Sequence, residues 1–231
     1  MASSMIVITN KEDCTGCYAC TSVCPASAIT MDVDVEGFWY PTVDYGKCIR
    51  CGMCMAVCPM IEMGTKNELG KPAPKAYAAR SVDPQIKLQS SSGGLFTLLA
   101  ETVIDSGGAV FGARFDRRLD VIHDYVEDKM ELRELKGSKY VQSRIGDAFR
   151  QAQVLLERGQ AVMFSGTACQ IAGLRGYLGR EYDHLICQDL ICHGVPSPKV
   201  WQRYIHYREM CAGSAVRSAS FRRKVGSWKA Y

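Results

Sequence analysis

Apolar and polar positions alternate along this chain in two different rhythms. From Ile29 to Val43 the run ITMDVDVEGFWYPTV alternates with period two, breaks at Glu36-Gly37 and then resumes. Period two sends successive side chains to opposite faces of a strand, so the run predicts a hairpin. Beyond residue 75 strand-like and helical stretches alternate. Strands are expected over 75–82, 109–115, 161–164, 185–192 and 215–225. Helices are expected over 95–105, 145–158, 168–178 and 198–210. In the first helix Leu95, Leu98, Leu99, Thr102 and Val103 share one face, and Gly107-Gly108 stops it. In the second, Ile145, Ala148, Phe149, Ala152, Leu155 and Leu156 recur at helical spacing up to Gly159. Ser197-Pro198 supplies an N-cap and a first-turn proline for the last helix. Such alternation argues for a sheet with helices on its faces.

Composition narrows the class. The chain has 231 residues, 47% hydrophobic and 23% charged, enough for a buried core in one or two domains. The best candidate for a membrane span, 95–110, is interrupted by Glu101 and Asp105 and falls short of the ~18 apolar residues a span needs. The N-terminal apolar run is only Met5-Ile6-Val7-Ile8 with no basic residue before it, which does not make an export signal.

The composition also contains 12 cysteines, eight of them between Cys14 and Cys58. Cys14, Cys17, Cys20 and Cys24-Pro25 repeat, 34 residues later, as Cys48, Cys51, Cys54 and Cys58-Pro59. Both read C-x2-C-x2-C-x3-C-P, so the module is internally duplicated. Three thiolates on a tight loop grip three irons of one cubane, and the fourth reaches across to the other cluster. Cys14, Cys17, Cys20 and Cys58 are therefore assigned to one [4Fe–4S] cluster, and Cys48, Cys51, Cys54 and Cys24 to the second. Gly16 and Gly52 let the backbone approach the sulfurs. The prolines suit the first turn of a helix. Zinc sites use paired knuckles or histidines rather than this repeat. A disulfide scaffold needs an oxidising compartment. The hairpin is expected to cover the clusters with Ile29, Phe38 and Tyr40. The methionines at 53, 55, 60 and 63 are read as packing around them.

The clusters change the charge. The formal balance is +4, from 28 basic and 24 acidic residues. Each oxidised cubane with four thiolates carries about −2, which cancels that excess and removes the case for a nucleic-acid partner. The short run Phe221-Arg222-Arg223-Lys224 is read as a solvated segment.

Four loops at element ends are rich in small polar residues. They are Ser90-Ser91-Ser92-Gly93-Gly94, Gly137-Ser138-Lys139-Tyr140-Val141-Gln142-Ser143, Phe164-Ser165-Gly166-Thr167-Ala168-Cys169-Gln170, and 189–197 with Cys192-His193-Gly194. Backbone N–H groups and hydroxyls before a helix suit a phosphate. None of the four is a dinucleotide or P-loop fingerprint. Cys169 is a candidate nucleophile whose plainer reading is a small residue in a tight turn. Cys187 and Cys211 are read as core residues.

Taken together, the duplicated cysteine motif, Glu36-Gly37-Phe38-Trp39-Tyr40-Pro41 and these loops resemble the family formed by the beta subunits of coenzyme F-420 hydrogenases and dehydrogenases. The likeness runs from about residue 10 to 231 and is nearest to bacterial members with a fused double-cluster domain. It implies an α+β chain: a ferredoxin-like double-cluster domain followed by a mixed sheet domain with helices on its faces. The expected division is 1–64 for the first, 65–74 for a linker carrying Gly70, Pro72 and Pro74, and 75–231 for an FAD-binding domain. Members pass electrons between iron–sulfur clusters, FAD and a two-electron substrate. On this reading Ser91, Ser92, Gly93, Gly94, Lys139, Tyr140, Gln142, Ser143, Gly166, Thr167, Cys169 and Gln170 line the flavin site. Lys139 neutralises a phosphate or the reduced flavin, and His193 handles protons. Two departures are noted: Ala168 stands where the family usually has proline, and the chain is expected to stop before the family's C-terminal domain is complete. The implied partners are a redox protein or a hydrogenase or dehydrogenase subunit, and a small-molecule substrate, in the cytoplasm. The rival class is a flavin-free ferredoxin-like electron carrier; a zinc module stands behind both.

Overall fold

The computed structural model describes residues 5–62, 74–222 and 224. The linker read at 65–74 therefore lies, except for Pro74, outside the described residues, as do Arg223 and residues 225–231.

The cysteine module contains two short helices, α1 (Ala19–Val23) and α2 (Met53–Ala56), one in each repeat, and a third, α3 (Pro59–Glu62). The hairpin forms as expected. Strand β1 (Ile29–Val33) pairs antiparallel with β2 (Trp39–Val43). Asp34 makes the turn: its carboxylate accepts from the backbone N–H groups of Glu36, Gly37 and Phe38 at 2.8–3.0 Å. Of the two prolines, Pro59 opens a helix and Pro25 does not; the chain turns there, with Ser27 at φ 48.

The second region is built on a four-stranded sheet of order β4-β3-β5-β6. Helices α4 (Pro84–Gln89) and α5 (Leu95–Asp105) lead into β3 (Ala109–Phe115) and β4 (Val121–Val126), which form an antiparallel pair. Helices α6 (Leu132–Leu135) and α7 (Ala148–Glu157) follow. Strand β5 (Val162–Thr167) then adds parallel to β3, and β6 (Leu185–Leu190) parallel to β5, with α8 (Ala168–Leu178) as the crossover. Helix α9 (Pro198–Ala212) starts as expected, with the Ser197 side chain accepting from Val200 N–H at 3.3 Å.

Alternation along the central strands sorts the core into two layers. Ala109, Phe111, Val162 and Phe164 point to one face, against α7 and α8. Val110 and Met163 point to the other, against Ala100 and Val103 of α5 and Leu132 and Leu135 of α6. The cysteine module joins the first layer: Cys17, Tyr18, Ala19 and Val57 pack into the same core as Leu174 and Phe149.

Four expectations need correction. Residues 75–82 carry no strand; the segment has no ladder partner and holds on through Ser81 N–H to Gly93 O at 2.7 Å. No strand forms over the described part of 215–225. In α5 the buried face is Thr97, Ala100 and Val103, while Leu95, Leu98 and Leu99 are 36–41% exposed. The small residues let the helix approach the sheet closely, and closeness outweighed the bulk of the leucine stripe. Cys211, near the end of α9, is exposed rather than a core residue, because the buried side of that helix is set by Trp201 and Ile205.

Candidate functional site

Two cavities open inside the cysteine module, and each is lined by four cysteines. The first has Cys24, Cys48, Cys51 and Cys54 on its wall; the second has Cys14, Cys17, Cys20 and Cys58. This is the crossed grouping expected from the repeat, with the last cysteine of each run serving the other cavity. Local backbone geometry makes it possible. Gly16, Gly52, Tyr18 and Arg50 take left-handed conformations, turning each loop tightly around its cavity. Backbone N–H groups point at sulfurs: Ile6 to Cys54 at 3.3 Å, Gly16 to Cys14 at 3.4 Å and Ala28 to Cys24 at 3.3 Å. Such donors stabilise the charge of a cluster. The hairpin covers both cavities, but through Ile29, Met31, Pro41 and Val43. Phe38 and Tyr40, expected in that role, line neither, because the covering face is the other phase of the alternation.

Burial drives the thiols away from ionisation. It raises Cys14, Cys20 and Cys54 and takes Cys17 up to about 11. Thiolates at such depth need a metal charge to hold them. Among the described residues no three His, Cys, Asp or Glu groups converge on a point for a single ion. A tetrahedral zinc site would draw its sulfurs to within about 4 Å of one another. The donor set, the spread around two cavities and the N–H···S bonds fit a cubane in each.

The second cavity faces the sheet domain. A Cβ at Gly173 of α8 would lie 3.2 Å from Cys17 Sγ, and one at Gly176 2.7 Å from Val57 O. Gln142 accepts from Trp39 N–H at 3.1 Å through Oε1 and lays its Nε2 over Gly16. Three of the loops read as a flavin site meet nearby. Ser138 N–H donates to Ser91 Oγ at 2.9 Å, and Gln170 Nε2 to Ser143 Oγ at 2.9 Å. Thr167 caps α8 in a capping box with Gln170, whose Oε1 accepts from Thr167 N–H at 2.9 Å. Cys169 Sγ sits 3.1 Å from Thr167 Oγ1. Gly94 is the left-handed N-cap of α5, and Gly93 packs against Ala79 and Arg80. Ser92 O accepts from Lys224 Nζ at 3.0 Å. Tyr140 is exposed, edge-on to Phe221. Lys139 donates to Glu134 O and Lys136 O, both at 3.0 Å, and burial lowers it to about 8. His193 stands apart, exposed on the loop after β6.

One histidine escaped the sequence reading. His123 on β4 is 7% exposed, with Nδ1 3.0 Å from Ser143 Oγ and Nε2 3.2 Å from Ser165 O. Desolvation lowers it to about 4. It occupies an inward position of the alternating run Val121-Ile122-His123, and reading that run as a strand would have revealed it. Also buried without a partner among the described residues are Tyr18 Oη and Gln188 Oε1.

Comparison with known proteins agrees with this geometry. Residues 13–61 match a family described as a 4Fe-4S dicluster domain, and residues 40–91 match a second of the same description. Over 217 residues, 87% of this chain and 60% of the relative, the sequence is 22% identical to one subunit of the F(420)H(2) dehydrogenase of Methanosarcina mazei. Over 177 residues, 73% of this chain and 26% of the relative, it is 30% identical to a coenzyme F-420-dependent sulfite reductase of Methanocaldococcus jannaschii. The chain is thus similar to F-420-linked oxidoreductases and carries a 4Fe-4S dicluster domain near its N-terminus. The dicluster match supports two [4Fe–4S] clusters in this chain. A chain of the F-420-reducing [NiFe] hydrogenase complex from Methanosarcina barkeri is similar over 55% of this chain and 47% of its own, at 19% identity and a TM-score of 0.45. The chain spans less than two thirds of the length of the relatives named here. Among the described residues no helix is long and apolar enough to cross a membrane.

Proposed function

We propose that this chain is an iron–sulfur flavoprotein that passes single electrons between two [4Fe–4S] clusters and FAD, and electron pairs between FAD and a small two-electron substrate of the F-420 class. Cys14, Cys17, Cys20 and Cys58 hold one cluster, and Cys24, Cys48, Cys51 and Cys54 the other. Residues 1–64 form the electron-carrying module, 65–74 the junction and 75–231 the flavin module. The observation that carries the reading is the meeting of the second cysteine cavity with the polar loops of the sheet domain, through Gln142 over Gly16 and Gly173 against Cys17.

The residues present fit a flavin. Loops 91–94, 138–143 and 166–170 converge at the C-terminal ends of parallel strands, where α/β sheets bind ligands. Gln188 Oε1, buried beside β5 and without a partner among the described residues, suits a donor of the isoalloxazine edge. FAD when bound joins two-electron to one-electron chemistry. The chain's own residues do the rest. Ser91, Ser92, Gly93 and Gly94 at the start of α5 receive phosphate. Lys139, with two of its three N–H groups spent on carbonyls, keeps one and a positive charge for the anionic side of the cofactor. Gly166 and Thr167 bring backbone close to the ring. Ser143 and Gln170 hold that turn in place rather than touch the ligand. Cluster thiolates call for a reducing compartment, and the cytoplasm is the one that fits.

A second reading is a flavin-free electron carrier that docks on a separate oxidoreductase. It is favoured by the inward bonds of Ser143, Gln170 and Lys139, which leave fewer groups for a cofactor. Anaerobic purification followed by assay of iron, sulfide and released flavin separates the two. About eight irons and one FAD per chain are expected. Eight irons without flavin establish the carrier, and zinc in place of iron overturns both.

A further inference from the structure

We propose that Gln142 is a positioning residue for the second cysteine cavity: it clamps the loop 14–17 to the hairpin and turns the donor end of its amide toward that loop, which makes the cluster there easier to reduce. The inference deepens the proposed function. It rests on the reading that the second cavity holds a [4Fe–4S] cluster, and it does not depend on flavin. The residue is anchored before it reaches the cysteines. Its own N–H donates to Pro196 O at 3.2 Å. Two residues on, Arg144 N–H donates to Val121 O at 2.9 Å and Arg144 O accepts from His123 N–H at 2.8 Å, so the segment is bridged in parallel to β4. Its neighbours Val141 and Ser143 are buried in the sheet domain, and Gln142 points the other way, into the cysteine module.

The bonds of the amide fix its direction. Oε1 accepts from Trp39 N–H at 3.1 Å, so the oxygen faces the hairpin and the NH2 group faces Gly16. A Cβ at Gly16 would lie 2.6 Å from Gln142 Nε2 and 3.1 Å from Trp39 O. Both ends of the clamp thus close on this glycine, and its φ of +65 is only part of the reason for it. Gly16 N–H in turn donates to Cys14 Sγ at 3.4 Å, and Gly16 lines the second cavity with Cys14 and Cys17. One side chain therefore connects the sheet domain, the hairpin and an N–H···S bond of a ligand. Chemistry favours an amide here over a carboxylate of the same shape. A glutamate would keep the acceptor for Trp39 but set a negative charge beside a cluster already near −2. The positive end of an amide dipole in the same place favours the electron-richer state. The effect falls on one cluster, because Gln142 meets the loop of the second cavity and touches no cysteine loop of the first.

The test uses Gln142→Glu and Gln142→Met in the full chain, purified anaerobically, with iron and sulfide assayed first. The midpoints of the two clusters are then read from a redox titration followed by electron paramagnetic resonance. With about eight irons bound, Gln142→Glu should make one cluster roughly tenfold harder to reduce, about 59 mV lower for one electron, and leave the other within about twofold. Gln142→Met, of similar length without the amide, should move the same midpoint in the same direction by less. Lys129→Glu, a larger change of charge beside Asp105 on the α5 side of the sheet, should move neither. Unchanged midpoints in both Gln142 variants, an upward shift in Gln142→Glu, or an equal shift of both clusters overturns the role of Gln142 alone. If Gln142→Glu takes up no iron, Gln142→Met decides by the same criteria. A wild-type chain without iron overturns the cluster reading and this inference with it.

Discussion

Four polar groups meet out of water at Ser143, and their donors and acceptors fit in only one way. Ser165 O can only accept, so His123 Nε2 carries the proton and Nδ1 is an acceptor. Ser143 must then donate to Nδ1, and its oxygen accepts from Gln170 Nε2. Gln170 Oε1 is left for Thr167 N–H. Each member is satisfied while His123 is neutral, and protonation would set an N–H against the Ser143 hydroxyl's own hydrogen. Burial is the larger cause of its lowered value, about 4 against 6.5 when exposed. The unfolded chain therefore binds a proton between pH 6.5 and 4 that the folded chain refuses. Stability from this residue is complete above pH 6.5 and is lost as pH falls toward 4. From pH 8 to 5.5 the loss amounts to about 1.4 kcal/mol. His123→Gln removes the titration, so its unfolding free energy should decline less over that range by about this amount. Parallel pH profiles for the two proteins would contradict the account.

Among the elements, α8 is where backbone and cluster module are matched most closely. Its sequence AlaCysGlnIleAlaGlyLeuArgGlyTyrLeu places Gly173 and Gly176 on one face. Glycine within a helix costs about 1 kcal/mol relative to alanine, so Gly176→Ala should stabilise an isolated helix. Here the new methyl would meet the backbone oxygen of Val57 at 2.7 Å. Val57 adjoins Cys58, so relief of the clash moves a cysteine of the second cavity. Gly176→Ala should lower thermal stability by about 1 to 3 kcal/mol and alter the electron paramagnetic resonance of one reduced cluster while sparing the other. A stabilised protein with an unchanged spectrum would refute the close packing. The same element shows what was legible. Its limits, like those of α5 and β3, could be read because flanking glycines, capping residues and period agree locally. Strand β4 was missed because Val-Ile-His-Asp-Tyr-Val is short and half polar, and pairing with β3 rather than its own pattern makes it a strand. The segment 75–82 failed in reverse: it has the composition of a strand and no neighbour. For the site, all eight cysteines and their crossed grouping were legible, since ligand spacing is a local property. His123, the Gln142 contact with the cysteine module and the isolation of His193 depend on residues far apart in sequence meeting in space.

Across the whole molecule the cysteine module and the sheet domain are tied at several points by buried or directional contacts. Arg150 of α7 donates to Ser22 O and Thr21 O at 3.2 Å, closing the end of α1. Ser197 Oγ donates to Glu36 O at 2.6 Å and Lys199 Nζ to Val35 O at 2.7 Å, holding the hairpin tip to the start of α9. Between these ties lies the shared core of Cys17, Tyr18 and Ala19 with Leu174 and Phe149. A module with so few residues in regular structure draws its folding energy from its metal, because ligands that converge only when folded convert binding energy into folding energy. Buried thiols without iron must also stay protonated at depth, which removes the charge that the N–H groups of Ile6, Gly16 and Ala28 are placed to meet. Loss of iron should therefore be felt beyond the cysteines. Anaerobic chelation is expected to lower the thermal midpoint of the entire chain. It should also raise amide hydrogen exchange along 171–178 of α8 and 148–152 of α7, whose cluster-side neighbours are released, while β3 and α5 on the opposite layer stay protected. Exchange confined to residues 5–62 would mean that the two parts fold independently and that the ties between them contribute little.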